Sequence, residues 1–343
     1  MGGRLITTLC ALAAVAAALA GNSAAAQLAS PQPVIARSTQ FFSVMPSTNG
    51  RAAVIEDRAS HKVYVWRAGA AGLHLIGHGT GAVAVANDGQ AAAYDCGSLT
   101  LCIWHLGRPL RRISEPCTNR ALALRESQVE FMSDDLRTLL VRCYSSASVN
   151  LSLLIHVQVS GMSVRSFPGL DGLALSSDGT VALFGRGPSR APRTAIYADG
   201  RLSSLPSVPY AFGMSHNSRF LIGGGNGATV PYRIYDRRTG QIRSFLPIAP
   251  SNLVINGDPF VISDSGRIVM YETGETPAET TCPEGACAIG VVDAATGRSA
   301  QLATARGATG IWPLALSADG TTAFYIEGHS GSDGLIVRSV VAP

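Results

Sequence analysis

Seven times along this chain an alternating apolar stretch runs into Ser or a small residue, turns a polar corner and enters a second apolar stretch. The copies are SVMPSTNG (43–50), AVAVANDG (82–89), EFMSDDL (130–136), LALSSDG (173–179), FGMSHNS (212–218), FVISDSG (260–266) and LALSADG (314–320). A period of two predicts half-buried strands. Asp and Asn bond back to their own backbone and Gly supplies positive φ, so each copy is read as a strand, a tight turn and a strand. The turns end at residues 50, 89, 136, 179, 218, 266 and 320. These intervals approximate a four-stranded propeller blade of about 40–45 residues, with the excess as loop. A third strand follows each hairpin, as in KVYVW (62–66), LCIWHL (101–106), TAIYA (194–198) and YRIYD (232–236). A fourth follows in six units, as in LHLIG (73–77) and IRSFLP (242–247). The seventh unit reaches Pro343 without one, whereas PVIARS (33–38) precedes unit one without a partner. The N-terminal strand is therefore expected to complete the last blade and leave no open edge. The predicted fold is all-β: one seven-bladed β-propeller domain over 27–343, closed by its N-terminal strand.

Composition agrees with many short buried strands joined by Gly turns, since 46% of the 343 residues are hydrophobic, 15% are charged and 37 are Gly. The first 26 residues differ. Arg4 precedes the apolar run 5–20, and Ala24-Ala25-Ala26 precedes Gln27. That order predicts a secretory signal peptide over 1–26, cleaved near Ala26. The run is shorter than the roughly 20 residues a spanning helix needs. No later segment is read as transmembrane. Losing Arg4 lowers the formal net charge from +4 to +3, too mild a balance for a nucleic-acid partner.

Export would place the six remaining cysteines in an oxidising compartment, where three disulfides are the simplest reading. Local spacing pairs Cys96 with Cys102 and Cys282 with Cys287, leaving Cys117 for Cys143. The spacing does not suit zinc. No metal or cofactor is expected, because the chain lacks HExxH, GxSxG, a Walker loop, GxGxxG after a strand and a calcium ladder. GGGNG (223–227) and SGSDG (330–334) are read as surface turns.

Alternating strand direction puts the seven hairpins on one face. The long connections 142–150, 185–193, 223–231 and 272–287 fall on the other. Loops on a rigid scaffold concentrate binding residues, so the candidate binding set is Arg186, Arg190, Arg193, Trp312, His61, Glu272 and His329. Asp88, Asp178 and Asp319 are read as turn formers.

The Ser-x-Asp-Gly hairpins, followed by IYDRRTG (234–240) or VVDAATG (291–297) and a fourth strand, resemble the WD40-like repeats of TolB and PD40 propellers of bacterial envelopes. Units one and two, with VYVW (63–66), HLIGHGTG (74–81) and VANDG (85–89), also resemble HAF extracellular repeats. The resemblance implies fold and export, and carries no catalytic set. The chain lacks the N-terminal α/β domain of TolB and the hydrolase domain of propeller peptidases. The expected function is a periplasmic or secreted, monomeric binding or scaffold protein, engaging an envelope or extracellular protein or a small ligand at the long-loop face. The alternative is a propeller lyase or hydrolase acting on a saccharide or peptide, with a His/Arg/acid site at the channel mouth.

Overall fold

All seven hairpin phrases form the expected turn. The closing residue has positive φ in each copy, at Gly50, Gly89, Leu136, Gly179, Ser218, Gly266 and Gly320. Its N–H bonds the carbonyl three residues earlier at 2.8–2.9 Å. Gly suits this conformation because it has no Cβ; Leu136 and Ser218 adopt it as well, at 57° and 59°. Six turns open on a buried Ser. Its Oγ accepts the N–H five residues on at 2.9–3.0 Å. In five of them it also donates to Asn49, Asp135, Asp178, Asn217 or Asp319 at 2.6–3.0 Å. The repeated phrase is thus a way of satisfying a buried hydroxyl and its neighbouring amides.

The computed structural model describes residues 31–341 except 39–41, 58, 98–99, 115–116, 118–123, 146–150, 159–160, 187–193, 206–210, 225–230, 246–253, 256–260, 275–287, 305–310 and 329–334. The expected leader at 1–26 lies outside the described residues.

β1 (Pro31–Ser38) comes first in the chain. Sheet one follows as β2 (Phe42–Pro46), β3 (Ala52–Asp57), β4 (Lys62–Arg67) and β5 (His74–His78). Sheet two is β6 (Gly81–Val85), β7 (Ala91–Asp95), β8 (Thr100–His105) and β9 (Arg111–Ser114). Sheet three is β10 (Leu124–Met132), β11 (Thr138–Ser145), β12 (Leu151–Gln158) and β13 (Gly161–Pro168). Sheet four is β14 (Leu170–Leu175), β15 (Ala182–Arg186), β16 (Thr194–Ala198) and β17 (Arg201–Ser204). Sheet five is β18 (Ala211–Met214), β19 (Phe220–Gly223), β20 (Tyr232–Asp236) and β21 (Ile242–Phe245). In sheet six, β22 (Val254–Ile255) and β23 (Val261–Ile262) both pair with β24 (Ile268–Gly274), followed by β25 (Ala288–Asp293) and β26 (Ser299–Thr304). The last sheet is β27 (Ile311–Leu316), β28 (Thr322–Gly328) and β29 (Leu335–Val341), with β1 antiparallel to β29 and Ser38 opposite Leu335.

Apolar clusters form between neighbouring sheets. Val54 and Val65 of sheet one meet Val85 and Tyr94 of sheet two, and Leu101 and Ile103 meet Leu139 and Leu153 of sheet three. Phe220 and Tyr232 of sheet five meet Ile262 and Tyr271 of sheet six. Sheet six meets the last sheet through Met270, Val291, Leu316 and Tyr325. Each sheet buries both faces, which places the core between blades and makes the architecture an all-β propeller.

Two of the expected disulfides are present. Cys96–Cys102 ties the connection between β7 and β8, with Cα atoms 5.7 Å apart, and Cys117–Cys143 ties the sheet-two to sheet-three crossing to β11 at 5.6 Å. Cys282 and Cys287 lie outside the described residues.

Candidate functional site

The hairpin end of the central channel is built from one position of the repeat, the residue after the turn-opening Ser or Ala. These residues are Thr48, Asn87, Asp134, Ser177, His216, Asp264 and Ala318. Hydrogen bonds link each to the next, except that the neighbouring Asn217 makes the step from His216 to Asp264. Thr48 Oγ1 donates to Asn87 Oδ1 at 2.9 Å, and Asn87 Nδ2 donates to Asp134 Oδ2 at 2.9 Å. Asp134 N donates to Ser177 O at 2.7 Å, and Ser177 N to His216 O at 2.8 Å. Asn217 N bonds Asp264 Oδ1 at 2.8 Å, Asp264 N bonds Ala318 O at 2.8 Å, and Ala318 N returns to Thr48 O at 2.6 Å. Two further bonds cross the ring: Thr48 Oγ1 to Asp134 Oδ2 at 2.6 Å, and His216 Nε2 with Leu316 O at 2.9 Å.

Burial raises the pKa of the Asp134 carboxyl, against the opposing pull of the Thr48 bond, the His216 charge and the Asn87 bond. The space between these groups, Met45, Phe131 and Leu175 is only about 110 Å³. That is far below the roughly 300 Å³ at which ligand pockets begin. The hairpin end is filled by its own polar ring.

On the opposite face, the predicted residues are only partly described. Arg190, Arg193 and His329 lie outside the described residues. Arg186 ends β15 opposite Leu170, and Trp312 stands in β27 opposite Ile326. Glu272 is buried on β24 opposite Ile289. His61 is exposed, with φ of 52°, at the turn between β3 and β4. Its Nδ1 lies 3.9 Å from Oε1 of Glu56, which is 1% exposed.

Glu56 and Asp95 are site residues that sequence reasoning missed, because each sits at the end of an apolar strand and reads there as an ordinary polar terminus. Burial, followed by the Glu56 charge, pushes the Asp95 carboxyl up to about 6. The chain crossing above it must be bare. A Cβ on Gly81 would fall 2.9 Å from Asp95 Oδ2, and one on Gly79 would fall closer still to Asp95 O. His61, Glu56 and Asp95 thus form a small cluster on the long-loop face of sheets one and two, whereas Glu272 stands on sheet six.

The turn aspartates behave as read. Asp178 accepts from Ser176 Oγ and Thr180 N, Asp319 from Ser317 Oγ and Thr321 N, and Asp88 from Gln90 N. Burial pushes the first two carboxyls up, but these bonds outweigh it and hold both below the usual value. Among the described residues, no group of three or more His, Cys, Asp or Glu is placed to hold a metal. No described helix is long and apolar enough to cross a membrane.

No family model matches the chain, and no curated protein matches it in sequence. Solved structures do match in fold. The β-propeller domain of the Trilobed protease from Pyrococcus furiosus, described as having an open velcro topology, is 14% identical with a TM-score of 0.58, over 87% of this chain and 96% of that one. The Cps50 (Swd1) β-propeller domain of Myceliophteria thermophila is 11% identical with a TM-score of 0.56, over 91% and 99%. Pyrococcus horikoshii acylaminoacyl peptidase is 14% identical with a TM-score of 0.57, over 87% of this chain and 51% of the peptidase. At such identities the likeness concerns fold alone, and by fold this chain is a β-propeller, as its repeats imply.

Proposed function

We propose that the chain is an exported, periplasmic or secreted, binding or scaffold module: a closed seven-bladed propeller, sealed by its N-terminal strand, that engages an envelope or extracellular protein or a small ligand at its long-loop face. The observation that carries the reading is the polar ring at the hairpin end. With about 110 Å³ left there, the central channel admits no ligand from the hairpin end, and the variable connections surround its other mouth. The closed ring draws support from the β1–β29 pairing, from the Ala318 N bond to Thr48 O, and from Trp66 of sheet one edge-on to Phe324 of the last sheet at 6.3 Å. Export draws support from the two disulfides, which persist in oxidising compartments.

In this reading Arg186, Arg190, Arg193, Trp312, His61, Glu272 and His329 supply the contacts, and no cofactor takes part. The test is capture of a partner from envelope extract by the processed protein. Arg186→Ala with Arg190→Ala and Arg193→Ala, or Trp312→Ala, should lose the captured species while keeping Tm. Asp178→Ala with Asp319→Ala should lower Tm and keep capture. The opposite pattern would move the site to the hairpin face. Fractionation that leaves the chain in the cytoplasm with reduced cysteines would overturn the export reading.

A further inference from the structure

On the hairpin face, between sheets two and three, lies a half-open cavity of about 550 Å³. Its charged lining is His105, Arg108, Arg111, Asp135, Arg137 and His156. The repeat shows what is unusual about it. In sheets one, three, five and six an Arg follows the hairpin, and its carbonyl accepts an N–H at or just past the end of the third strand: Arg51 from Ala68, Arg137 from Val157, Arg219 from Arg237, and Arg267 from Ala294. The preceding residue, which ends or nearly ends that strand, therefore faces the arginine. In sheets five and six it is Asp236 or Asp293. Arg219 Nε and Nη2 reach Asp236 at 3.1 and 2.7 Å, and Arg267 Nε reaches Asp293 at 2.8 Å. In sheet three it is His156, and at the same place in sheet two it is His105. The acid that neutralises the arginine in sheets five and six is an imidazole here, while in sheet one the same place holds Arg67.

We propose that this cleft is a binding site for the phosphate group of a small molecule. The cavity size suits a metabolite-sized ligand. Three guanidiniums stand against one carboxylate, and that carboxylate is engaged: Asp135 Oδ1 holds Ser133 Oγ at 2.6 Å and Arg137 N at 3.0 Å. The surplus of two fixed positive charges matches a dianion, and guanidinium presents the planar donor fork that phosphate oxygens accept. Arg111 is already tied across the cleft, its Nη2 donating to Gln158 O at 3.0 Å. His156 Nδ1 lies 3.1 Å from Thr138 Oγ1, so when that hydroxyl donates, Nε2 carries a hydrogen. The field in the cleft is positive: burial, then Arg108, then Arg111 lower the pKa of His105.

The cleft between sheets five and six is filled from within. Phe220 lies under Arg219 at 4.7 Å and Arg243 at 5.9 Å, and a Cβ on Gly266 would strike its ring. Between sheets one and two the Arg67 stem lies against Gly89, beside a hollow of about 580 Å³ in which Arg51 and Arg67 share the lining with Asp88.

The test is calorimetric titration of the processed protein with inorganic phosphate, glucose 6-phosphate and glucose. Saturable one-to-one binding of a phosphate species with none of glucose is expected. Glucose 6-phosphate binding more tightly than phosphate identifies a carried group, whereas equal affinities identify the free anion. Arg137→Gln should weaken binding at least about tenfold, the scale of one charge-assisted bond. His156→Asp should abolish it, and Arg165→Gln, on β13 outside the cleft, should leave it unchanged. The His105 imidazole, followed by proton NMR, should titrate at higher pH once the anion is bound. Absence of saturable binding, or binding that Arg137→Gln and His156→Asp leave intact in folded protein, overturns the proposal. Because these residues lie apart from the long-loop set, the result is independent of that reading.

Discussion

Sheets five and six and sheets two and three answer the same question differently. In the former, the third strand ends in Asp, which does two jobs at once: Asp236 Oδ1 accepts Arg238 N at 2.9 Å and Asp293 Oδ1 accepts Ala295 N at 2.9 Å, closing the next turn, while both carboxylates hold the hairpin arginine. In the latter, His105 and His156 cannot accept in that way and carry no fixed negative charge. The first arrangement spends the arginine on the fold; the second leaves it for solvent or a ligand. A repeat that keeps its backbone bonds can therefore change one strand-end residue from structural to recognitive, because the backbone, not the ion pair, sets the register.

The comparison breaks most severely if sheets five and six are converted to the other type. Asp236→His combined with Asp293→His removes two turn acceptors and two ion pairs. A loss of about 5 °C in Tm at pH 7.5 is expected by calorimetry; an unchanged Tm would mean that the pairs contribute nothing.

Next in size is pH, where the two regions carry opposite signs. The Arg267 bond holds Asp293 down to about 2. Its stabilisation is therefore present above the unfolded carboxylate value near 4 and is lost as pH falls toward 2. Asp95 of sheet two, pushed up to about 6 by burial and Glu56, does the reverse. Its folded form favours the proton, so its contribution is present below about 4 and is lost as pH rises through 6. Asp95→Asn should raise Tm at pH 8 by about 3 °C and abolish the gain the parent shows on acidification to pH 4.5. Asp293→Asn should lower Tm at pH 7, with the deficit shrinking below pH 3. Thermal scans across pH check both.

A smaller effect runs the other way. His156→Asp gives Arg137 the acid that its counterparts in sheets five and six have, and Tm should rise by about 1–2 °C, the worth of one partly exposed pair. A fall would indicate that the Thr138–His156 bond matters more than the charge. Smallest is Arg219→Lys, which keeps the charge and loses the fork; a drop of under about 1 °C in Tm is expected.

Much of this was legible in the chain. The seven hairpins, the turn roles of Asp88, Asp178 and Asp319, and the pair Cys96–Cys102 follow from local chemistry: a left-handed turn residue, an Asx acceptor and a six-residue spacing act within a few positions of one another, while Cys117–Cys143, 26 residues apart, followed by elimination. IYDRRTG and VVDAATG were visible as repeat phrases, but nothing local in them marked Asp236 and Asp293 as partners of Arg219 and Arg267. Other features depend on which sheets meet. Nothing in the sequence singled out Thr48, Asn87, Asp134 or His216, and it took the meeting of their hairpins to join them by hydrogen bonds. Asp95 became unusual only because the glycine crossing of 79–81 and Glu56 of the preceding sheet close over it. Strand and turn are decided by neighbours in sequence, whose dihedrals and hydrogen bonds the local residues set. Charge pairing, burial and cavity shape are decided by residues some 20 to 100 positions apart, and only the arrangement of the sheets brings those together.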